Sequence, residues 1–303
     1  MKKLGLAVAL LTSTLYFSQN ISEERLKTLV STLASDDMKG RKVGSEGNQK
    51  AAEYIAQQFK NNKLDYCVGD SYLVPFAYKN QTVYNVCGLV KGKSGNYIGV
   101  GGHFDHIGES KKDGEDKIYN GADDNASGTS LVIALSDYFK DKKLQDGVVF
   151  MAFNAEEVGL VGSKELVNNP SFNPILSKMK MLLNFEMLGT DSAFGPNAVY
   201  MTGDDKSNLD EELNRLSKDG LKIVGDPYLS QQLFYRSDNV NFVKRDVVAH
   251  SISTVNMENQ KHYHQLNDDI DVINFPNLTK LTNSFAKTIE AYIKAQPNVK
   301  LVK

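Results

Sequence analysis

The chain has 303 residues, of which 41% are hydrophobic and 24% are charged, and its formal net charge at pH 7 is −2. The apolar fraction is ordinary for a globular protein, and the length allows one large α/β domain or two small ones. Acidic and basic residues are interspersed, which excludes a basic face for nucleic acid and a polybasic patch for a membrane surface.

The first residues have the pattern of a secretory signal peptide. Two lysines follow Met1, an apolar stretch covers 4–17, and small or polar residues follow at 18–20. The apolar stretch is short for a membrane span. A buried first helix is the alternative, but the polar segment from Ser22 starts a new helix at once. We therefore expect a signal peptide at 1–19 and a periplasmic or secreted mature protein.

Helical and strand periods then alternate along the chain. Ser22 is suited to cap the first helix, and Ala52, Ile55 and Phe59 form an apolar stripe on the second. We predict helices at 22–34, 48–61, from 127, 160–168, 207–218 and 276–296, and strands at 72–78, 83–90, 97–103, 148–154, 180–186, 198–202 and 247–253. This alternation indicates a sheet buried between helix layers, and without repeats or linkers the simplest organisation is one domain, 20–303.

Cys67 and Cys87 are the only cysteines in the sequence. In an oxidising compartment they can form a disulfide. Cys87 also lies in the predicted strand 83–90, where a buried free thiol is equally natural. Both alternatives stay open at this point.

Five residues of metal-binding types stand where apolar runs end. They are His103, Asp124, Glu157, Glu186 and His264. Ligands gather at the carboxyl edge of sheets of this kind, so we expect these side chains to converge. Carboxylate and imidazole together suit zinc or a similar first-row ion, and two such ions can hydrolyse an amide.

Neighbouring residues suggest further roles at this site. Asp105 follows His103 by two residues and can accept the proton of its other ring nitrogen. Glu156 and Glu157 are adjacent acids after an apolar strand, a costly arrangement unless a cation or a proton uses them. One can bind metal while the other holds a proton near bound water. The alternative for this pair is two solvated glutamates at a helix start.

Asp124 lies in the polar segment 121–128, which precedes the helix from about residue 127. A helix cap formed by Asp124 or Asn125 is the plainer interpretation of this segment. A calcium loop does not fit, because the spacing is not that of an EF-hand and no glutamate closes the loop. An aspartate held by this turn can instead bridge two ions with one oxygen on each.

With these residues in place, the chain resembles the secreted co-catalytic zinc aminopeptidases. Their superfamily also includes glutamate carboxypeptidase II, plasma glutamate carboxypeptidase, glutaminyl cyclases and the transferrin receptor ectodomain. The resemblance rests on a glycine-rich signature at 40–52 and on six motifs in the family's order, at 102–105, 121–128, 154–163, 184–189, 236–238 and 263–268. Each motif alone is weak evidence for the family. Together they occur in the family's order and spacing and cover most of the chain after residue 20.

The resemblance implies an α/β fold, a three-layer αβα sandwich with a central mixed, mostly parallel sheet. It implies two Zn²⁺ ions, although cobalt or manganese suits the same ligands. His103 and Glu186 would hold one ion, Glu157 and His264 the other, and Asp124 would bridge them. The family usually has aspartate at the position of Glu186, so this side chain is one methylene longer.

The remaining implied roles concern catalysis. Glu156 would be the general base, Asp105 would support His103, and a cis peptide is common after the bridging aspartate, here at 124–125. Tyr263 can hydrogen-bond a developing oxyanion, but an aromatic side chain packed beside His264 is an equal alternative.

The predicted function is thus that of a secreted or periplasmic metallo-exopeptidase that removes N-terminal residues from peptides, and we expect it to be a monomer. A carboxypeptidase or dipeptidase would need a cation for the substrate carboxylate, for which Arg236 is the candidate. A glutaminyl cyclase usually binds one zinc and places Trp beside the last histidine, whereas this chain has Tyr263 and no Trp. A non-catalytic binding ectodomain would have lost ligands, but every ligand position is filled here.

Overall fold

The computed structural model describes residues 20–112 and 114–302 of the protein. The predicted signal peptide, 1–19, lies outside these residues. Among the described residues, none of the helices combines the length and the apolar character that a membrane crossing requires.

The helices begin close to the predicted positions. In the described residues they are α1 Glu23–Leu33, α2 Glu46–Asn61, α3 Gly128–Phe139, α4 Val161–Asn168, α5 Asn173–Leu176, α6 Leu209–Leu216, α7 Asn239–Val243 and α8 Phe275–Ala295. The Ser22 hydroxyl accepts the amide proton of Arg25 at 3.1 Å, and Ser45 accepts that of Asn48 at 3.1 Å. These caps satisfy amide groups that the first helical turn leaves free, which is why α1 and α2 start there.

The strands also follow the predicted pattern, with two short additions. They are β1 Asp65–Tyr66, β2 Leu73–Tyr78, β3 Gln81–Val90, β4 Tyr97–His103, β5 Gly147–Phe153, β6 Met179–Phe185, β7 Ala198–Met201, β8 Lys222–Gly225 and β9 Val248–Ser253. Every predicted strand and helix is present within about two residues of its expected ends. The sequence pattern did not predict β1, β8, α5 and α7, because each is too short to show a clear hydrophobic period.

One mixed sheet joins these strands in the order β1-β3-β5-β4-β6-β9-β7-β8, and β2 pairs with β3. The four central strands β5, β4, β6 and β9 are parallel to one another. Antiparallel pairs flank them, β3 with β5 on one side and β7 with β9 on the other. The predicted mixed sheet is confirmed, and its parallel strands occupy the centre, where both faces are covered by helices.

Alternating side chains divide the core into two layers. Phe150 of β5 packs in the cluster that includes residues of α1, α2, α3, α6 and α8, whereas Met151 packs in the cluster of α4, α5 and α7. Leu183 and Leu182 of β6 divide in the same way. Because successive strand residues point to opposite faces, an all-apolar strand requires helices on both sides. The predicted three-layer sandwich is confirmed.

A disulfide joins Cys67 to Cys87, with an S–S distance of 2.06 Å. Cys87 lies in β3 and Cys67 follows β1, so the bond ties two antiparallel neighbours together. The alternative of a buried free thiol is therefore wrong.

The parallel centre decides where the candidate site lies. His103 ends β4 and is paired in register with Phe153, the last residue of β5. Glu186 directly follows the last residue of β6, which runs parallel to β4. Carboxyl ends of parallel strands meet at one edge of a sheet, so three chain segments deliver polar side chains to the same place.

Candidate metal centre

Two clusters of ligand-type side chains share one aspartate at this edge. In the first, Nε2 of His103 lies 2.9 Å from Oε1 of Glu186 and 3.3 Å from Oδ1 of Asp124. In the second, Nε2 of His264 lies 2.9 Å from Oε2 of Glu157 and 3.3 Å from Oδ2 of Asp124. Asp124 thus presents one oxygen to each cluster, and the five predicted ligand residues are brought together.

A sixth residue, His106, joins the second cluster. Its Nδ1 lies 2.9 Å from Oε1 of Glu157 and 3.7 Å from Oδ2 of Asp124. His106 was not among the predicted ligands, although it directly follows Asp105 in the loop after β4. The sequence did hint at it, because a second histidine stands three residues after the histidine that ends β4.

Asp268 holds the loop that carries Asp124. Its two carboxylate oxygens accept the amide protons of Asp123 at 2.8 Å and Asp124 at 2.9 Å. The peptide bond between Asp124 and Asn125 is cis, as the family resemblance implied. The Asn125 amide donates to the carbonyl oxygen of Phe185 at 2.8 Å, which ties this loop to the end of β6.

Arg41 ties the loop after β4 and the loop before α3, which both carry predicted ligands, to the end of α1. Its fully buried guanidinium donates four hydrogen bonds of 2.6 to 2.9 Å to backbone carbonyls, those of Leu33, Phe104, Asn120 and Gly121. Burial lowers the pKa of Arg41 to about 10, and nearby carboxylates oppose that change. The side chain therefore stays charged at neutral pH and fixes the backbone on both sides of the site.

Asp105 makes a different contact from the predicted one. Nδ1 of His103 lies 3.1 Å from the backbone oxygen of Asp105 and 3.7 Å from its carboxylate. The carboxylate instead accepts the amide protons of Glu156 at 3.0 Å and Glu157 at 3.3 Å. Asp105 therefore supports His103 through its main chain and orients the adjacent glutamates through its side chain.

Electrostatics at the site favour positive charge. Burial lowers the pKa of His103, but the carboxylates of Glu186 and Glu156 outweigh it and hold that pKa well above its usual value. His264 behaves similarly, since burial lowers its pKa while Asp124 and Glu157 raise it, to about 10 overall. Negative charge at the cluster thus outweighs the effect of burial at both imidazoles.

Glu156 is placed to hold a proton. Burial raises the pKa of Glu156 well above its usual range, His103 opposes this, and Glu186 and Asp238 add to it by repulsion. The protonated form of this carboxyl group is therefore favoured to a higher pH than is usual for glutamate.

Tyr263 packs against a predicted ligand. Its ring stacks on that of His264 with centroids 3.9 Å apart and an interplanar angle of 19°. This geometry agrees with the packed-aromatic alternative, and Tyr263 also lines the cavity beside the clusters.

The cavity beside the clusters opens to solvent. Its acidic wall is formed by Asp124, Glu156, Glu157 and Glu186, with His103 beside them. Its apolar wall includes Met187, Leu233, Val255 and Met257. Arg236, an exposed side chain, also lines it.

These residues fit a pair of metal ions. One donor atom each from His106, Asp124, Glu157 and His264 lie within 4.8 Å of one another, and those of His103, Asp124 and Glu186 do so separately. Oδ2 of Asp124 is buried without a hydrogen-bond donor among the described residues. Buried acids that lack partners are costly, and carboxylate with imidazole is the donor set of zinc.

Solved structures share this fold. BSAP, a zinc aminopeptidase from Bacillus subtilis, superposes with a TM-score of 0.72 at 17% identity, over 92% of this chain and 97% of that chain. A Bacteroides thetaiotaomicron glutaminyl cyclase bound to N-acetylhistamine gives a TM-score of 0.70 at 15% identity, over 90% and 99% of the two chains.

The sequence matches Peptidase family M28 over residues 85–289, and the chain belongs to that family. Leucine aminopeptidase 2 of Trichophyton rubrum is 27% identical over 293 residues, which cover 88% of this chain and 55% of that protein. The chain therefore spans about half the length of the curated relatives it matches. The predicted family resemblance is confirmed.

Proposed function

We propose that the protein is a zinc-dependent aminopeptidase that removes N-terminal residues from peptides. The observation that carries this proposal is the bridging position of Asp124, which presents one oxygen to each of two ligand clusters. His103 and Glu186 would hold one ion, Glu157 and His264 the other. Similarity to leucine aminopeptidase 2 of Trichophyton rubrum supports the same activity.

The bound ions would polarise the scissile carbonyl and make water a stronger acid. Glu156 takes a proton from the attacking water and then returns it to the leaving nitrogen. Asp105 keeps Glu156 in place by accepting its amide proton at 3.0 Å. The residue that carries the proton therefore has its main chain fixed to the loop after β4.

Substrate orientation follows from the charge and shape of the cavity. The acidic wall favours the positively charged amine of a peptide N-terminus. The apolar wall of Met187, Leu233, Val255 and Met257 suits an aliphatic first side chain. We therefore propose a preference for unblocked peptides that begin with leucine or methionine.

Arg236 favours one alternative, a carboxypeptidase or dipeptidase of the same superfamily. It is a cation lining the cavity, and a guanidinium can pair with a substrate carboxylate. This alternative is the weaker one for longer peptides, because the strongly acidic wall favours a substrate amine over a substrate carboxylate.

A panel of aminoacyl anilides tests the proposal. Leucyl and methionyl anilides should be hydrolysed, their N-acetylated counterparts should not, and a chelator should abolish activity that added zinc restores. Hydrolysis of the N-acetylated substrates, or full activity after chelation with no metal in the protein, would contradict it. Preferential release of a C-terminal residue from N-acetyl dipeptides would support the alternative based on Arg236.

We also propose that the protein acts outside the cytoplasm, as a single domain over 20–303 and as a monomer. The disulfide between Cys67 and Cys87 supports an oxidising location. Mass spectrometry of the protein secreted by its natural host would locate the processed N-terminus, expected near residues 18–20.

A further inference from the structure

His106 is a buried histidine that the proposed catalytic scheme leaves without a role. Building on the proposed function, we propose that Nδ1 of His106 is a fourth protein ligand of the ion held by Asp124, Glu157 and His264. The ligand set implied by the family resemblance does not include this residue.

The donor atoms have the spacing of a tetrahedral site. Nδ1 of His106 lies 2.9 Å from Oε1 of Glu157 and 3.7 Å from Oδ2 of Asp124. Nε2 of His264 lies 3.1 Å from the same Oε1 of Glu157 and 3.3 Å from Oδ2 of Asp124. Tetrahedral ligands with zinc bonds near 2.1 Å stand about 3.4 Å apart, a value inside the range of these four distances.

The ring of His106 is held in the required orientation. It is 1% exposed, and it meets the ring of His264 nearly edge to face with centroids 5.6 Å apart. Gly121 lies against it with φ +57°, and a Cβ there would stand only 2.6 Å from Cδ2 of the imidazole. Glycine at this position therefore leaves the space that the ring occupies, with Nδ1 facing the two carboxylates.

The other ring nitrogen argues for a role beyond a hydrogen bond. Nε2 of His106 is buried and has no partner among the described residues. A single hydrogen bond from Nδ1 to Glu157 compensates poorly for burying a ring whose second nitrogen is unsatisfied. A metal bond to Nδ1 is much stronger and offsets that cost.

The two halves of the centre then differ in how open they are. Four protein ligands around one ion resemble closed structural zinc sites, whereas three ligands leave a position for water, as in catalytic sites. The ion of His103, Asp124 and Glu186 would be the more open one. Water and substrate would therefore bind chiefly on that side of the cavity.

Proton NMR of the cobalt-loaded protein tests this assignment. Each cobalt-bound imidazole with a ring N–H gives a strongly shifted, exchangeable resonance. At low temperature we expect three such signals, from His103, His106 and His264, and one fewer in His106→Gln. Competition with a chelator should show metal binding weakened by more than about 100-fold in that variant, beyond the roughly 10- to 100-fold loss typical of a residue that only orients a ligand.

His262→Gln is the matched control, because His262 lies outside both clusters and its Nδ1 is 3.1 Å from the carbonyl oxygen of Asn267. It should keep all three signals and the wild-type affinity.

Two shifted signals in the wild-type protein would overturn the assignment of His106 and leave the aminopeptidase proposal standing. A wild-type protein that binds no metal would overturn both. If His106→Gln does not fold, the wild-type signal count decides alone.

Discussion

The two ends of the central strands treat buried acids in opposite ways. At the amino end, Asp146 is fully buried and accepts hydrogen bonds from Ser94 at 2.5 Å, Lys180 at 2.7 Å and Gln296 at 2.7 Å. At the carboxyl end several acids cluster, and within the described residues none of them forms an ion pair with lysine or arginine. The acids there are Asp124, Glu156, Glu157, Glu186 and Asp238.

At the amino end the protein's own side chains neutralise the buried acid. At the carboxyl end the acids need a cation from outside the protein. Both ends belong to the same strands, and Asp146 and Asp124 are both buried, so burial alone does not distinguish them. A lysine forms the ion pair with Asp146, whereas imidazoles form the ion pairs at the other end. Unpaired buried charge is expensive, which makes cation binding the natural resolution at the carboxyl end.

Glu156→Gln should give the largest effect. We expect kcat/KM to fall by about 1,000-fold, because the amide cannot take a proton, while zinc content stays at the wild-type level. Kinetics with leucyl anilide and metal analysis of the same sample would measure both. Glu165→Gln, the same change at an exposed position of α4, is the control and should remain active. Loss of zinc together with activity would instead assign Glu156 a binding role.

Metal removal should have the second-largest effect, and it should act at the carboxyl end of the central strands. If zinc is present at about 1,000 times its dissociation constant, it stabilises the folded state by about 4 kcal/mol. For a chain of this length we expect the melting temperature to fall by about 8 °C in a chelator at neutral pH. Differential scanning calorimetry with and without zinc would measure this. An unchanged melting temperature would mean that the acids need no cation.

Asp146→Asn should affect stability and spare function. We expect a loss of about 2 kcal/mol in the free energy of unfolding, because Lys180 loses its buried partner. Activity and zinc content should stay within about twofold of wild type, since the change lies at the opposite end of the strands. Urea unfolding would measure the loss, with the exposed substitution Asp141→Asn as control. A large fall in kcat/KM would break the separation of the two ends.

The same variant should show a defined pH dependence. Burial raises the pKa of Asp146, but hydrogen bonds from Lys180, Ser94 and Gln296 outweigh it and lower the pKa below the usual 3.8. A lowered pKa in the folded state stabilises it above pH 3.8, and this contribution is lost as pH falls further. The difference in the free energy of unfolding between wild type and Asp146→Asn should therefore become smaller as the pH falls below 3.8.

Glu290→Gln should give the smallest effect, in an ion network between helices. Burial raises the pKa of Glu290, but hydrogen bonds from Lys142, Lys294 and Tyr138 lower it to about 2. The side chain is partly open to solvent, so we expect the substitution to lower the free energy of unfolding by only about 1 kcal/mol. That contribution is complete above about pH 4.5 and lost as pH falls through 2. Melting curves of both proteins should differ at pH 7 and converge near pH 2; a constant difference would argue against the ion pairs.

Local pattern was sufficient to predict most of the fold. Strands β4, β5 and β6 are largely apolar, β4 ends at His103, and Glu186 directly follows β6. The period of hydrophobic residues depends on neighbours in sequence, so it can be read without knowing the fold. The carboxyl-edge rule then predicted which of these ends converge.

Tertiary structure alone decided the contacts between distant segments. Sequence left the pairing of Cys67 with Cys87 open, and it did not show that Asp105 orients Glu156 or that His106 faces Glu157. These contacts depend on strand register and on how the loops cross at the sheet edge. Such relations are set by packing between residues far apart along the chain, where local periodicity carries no information.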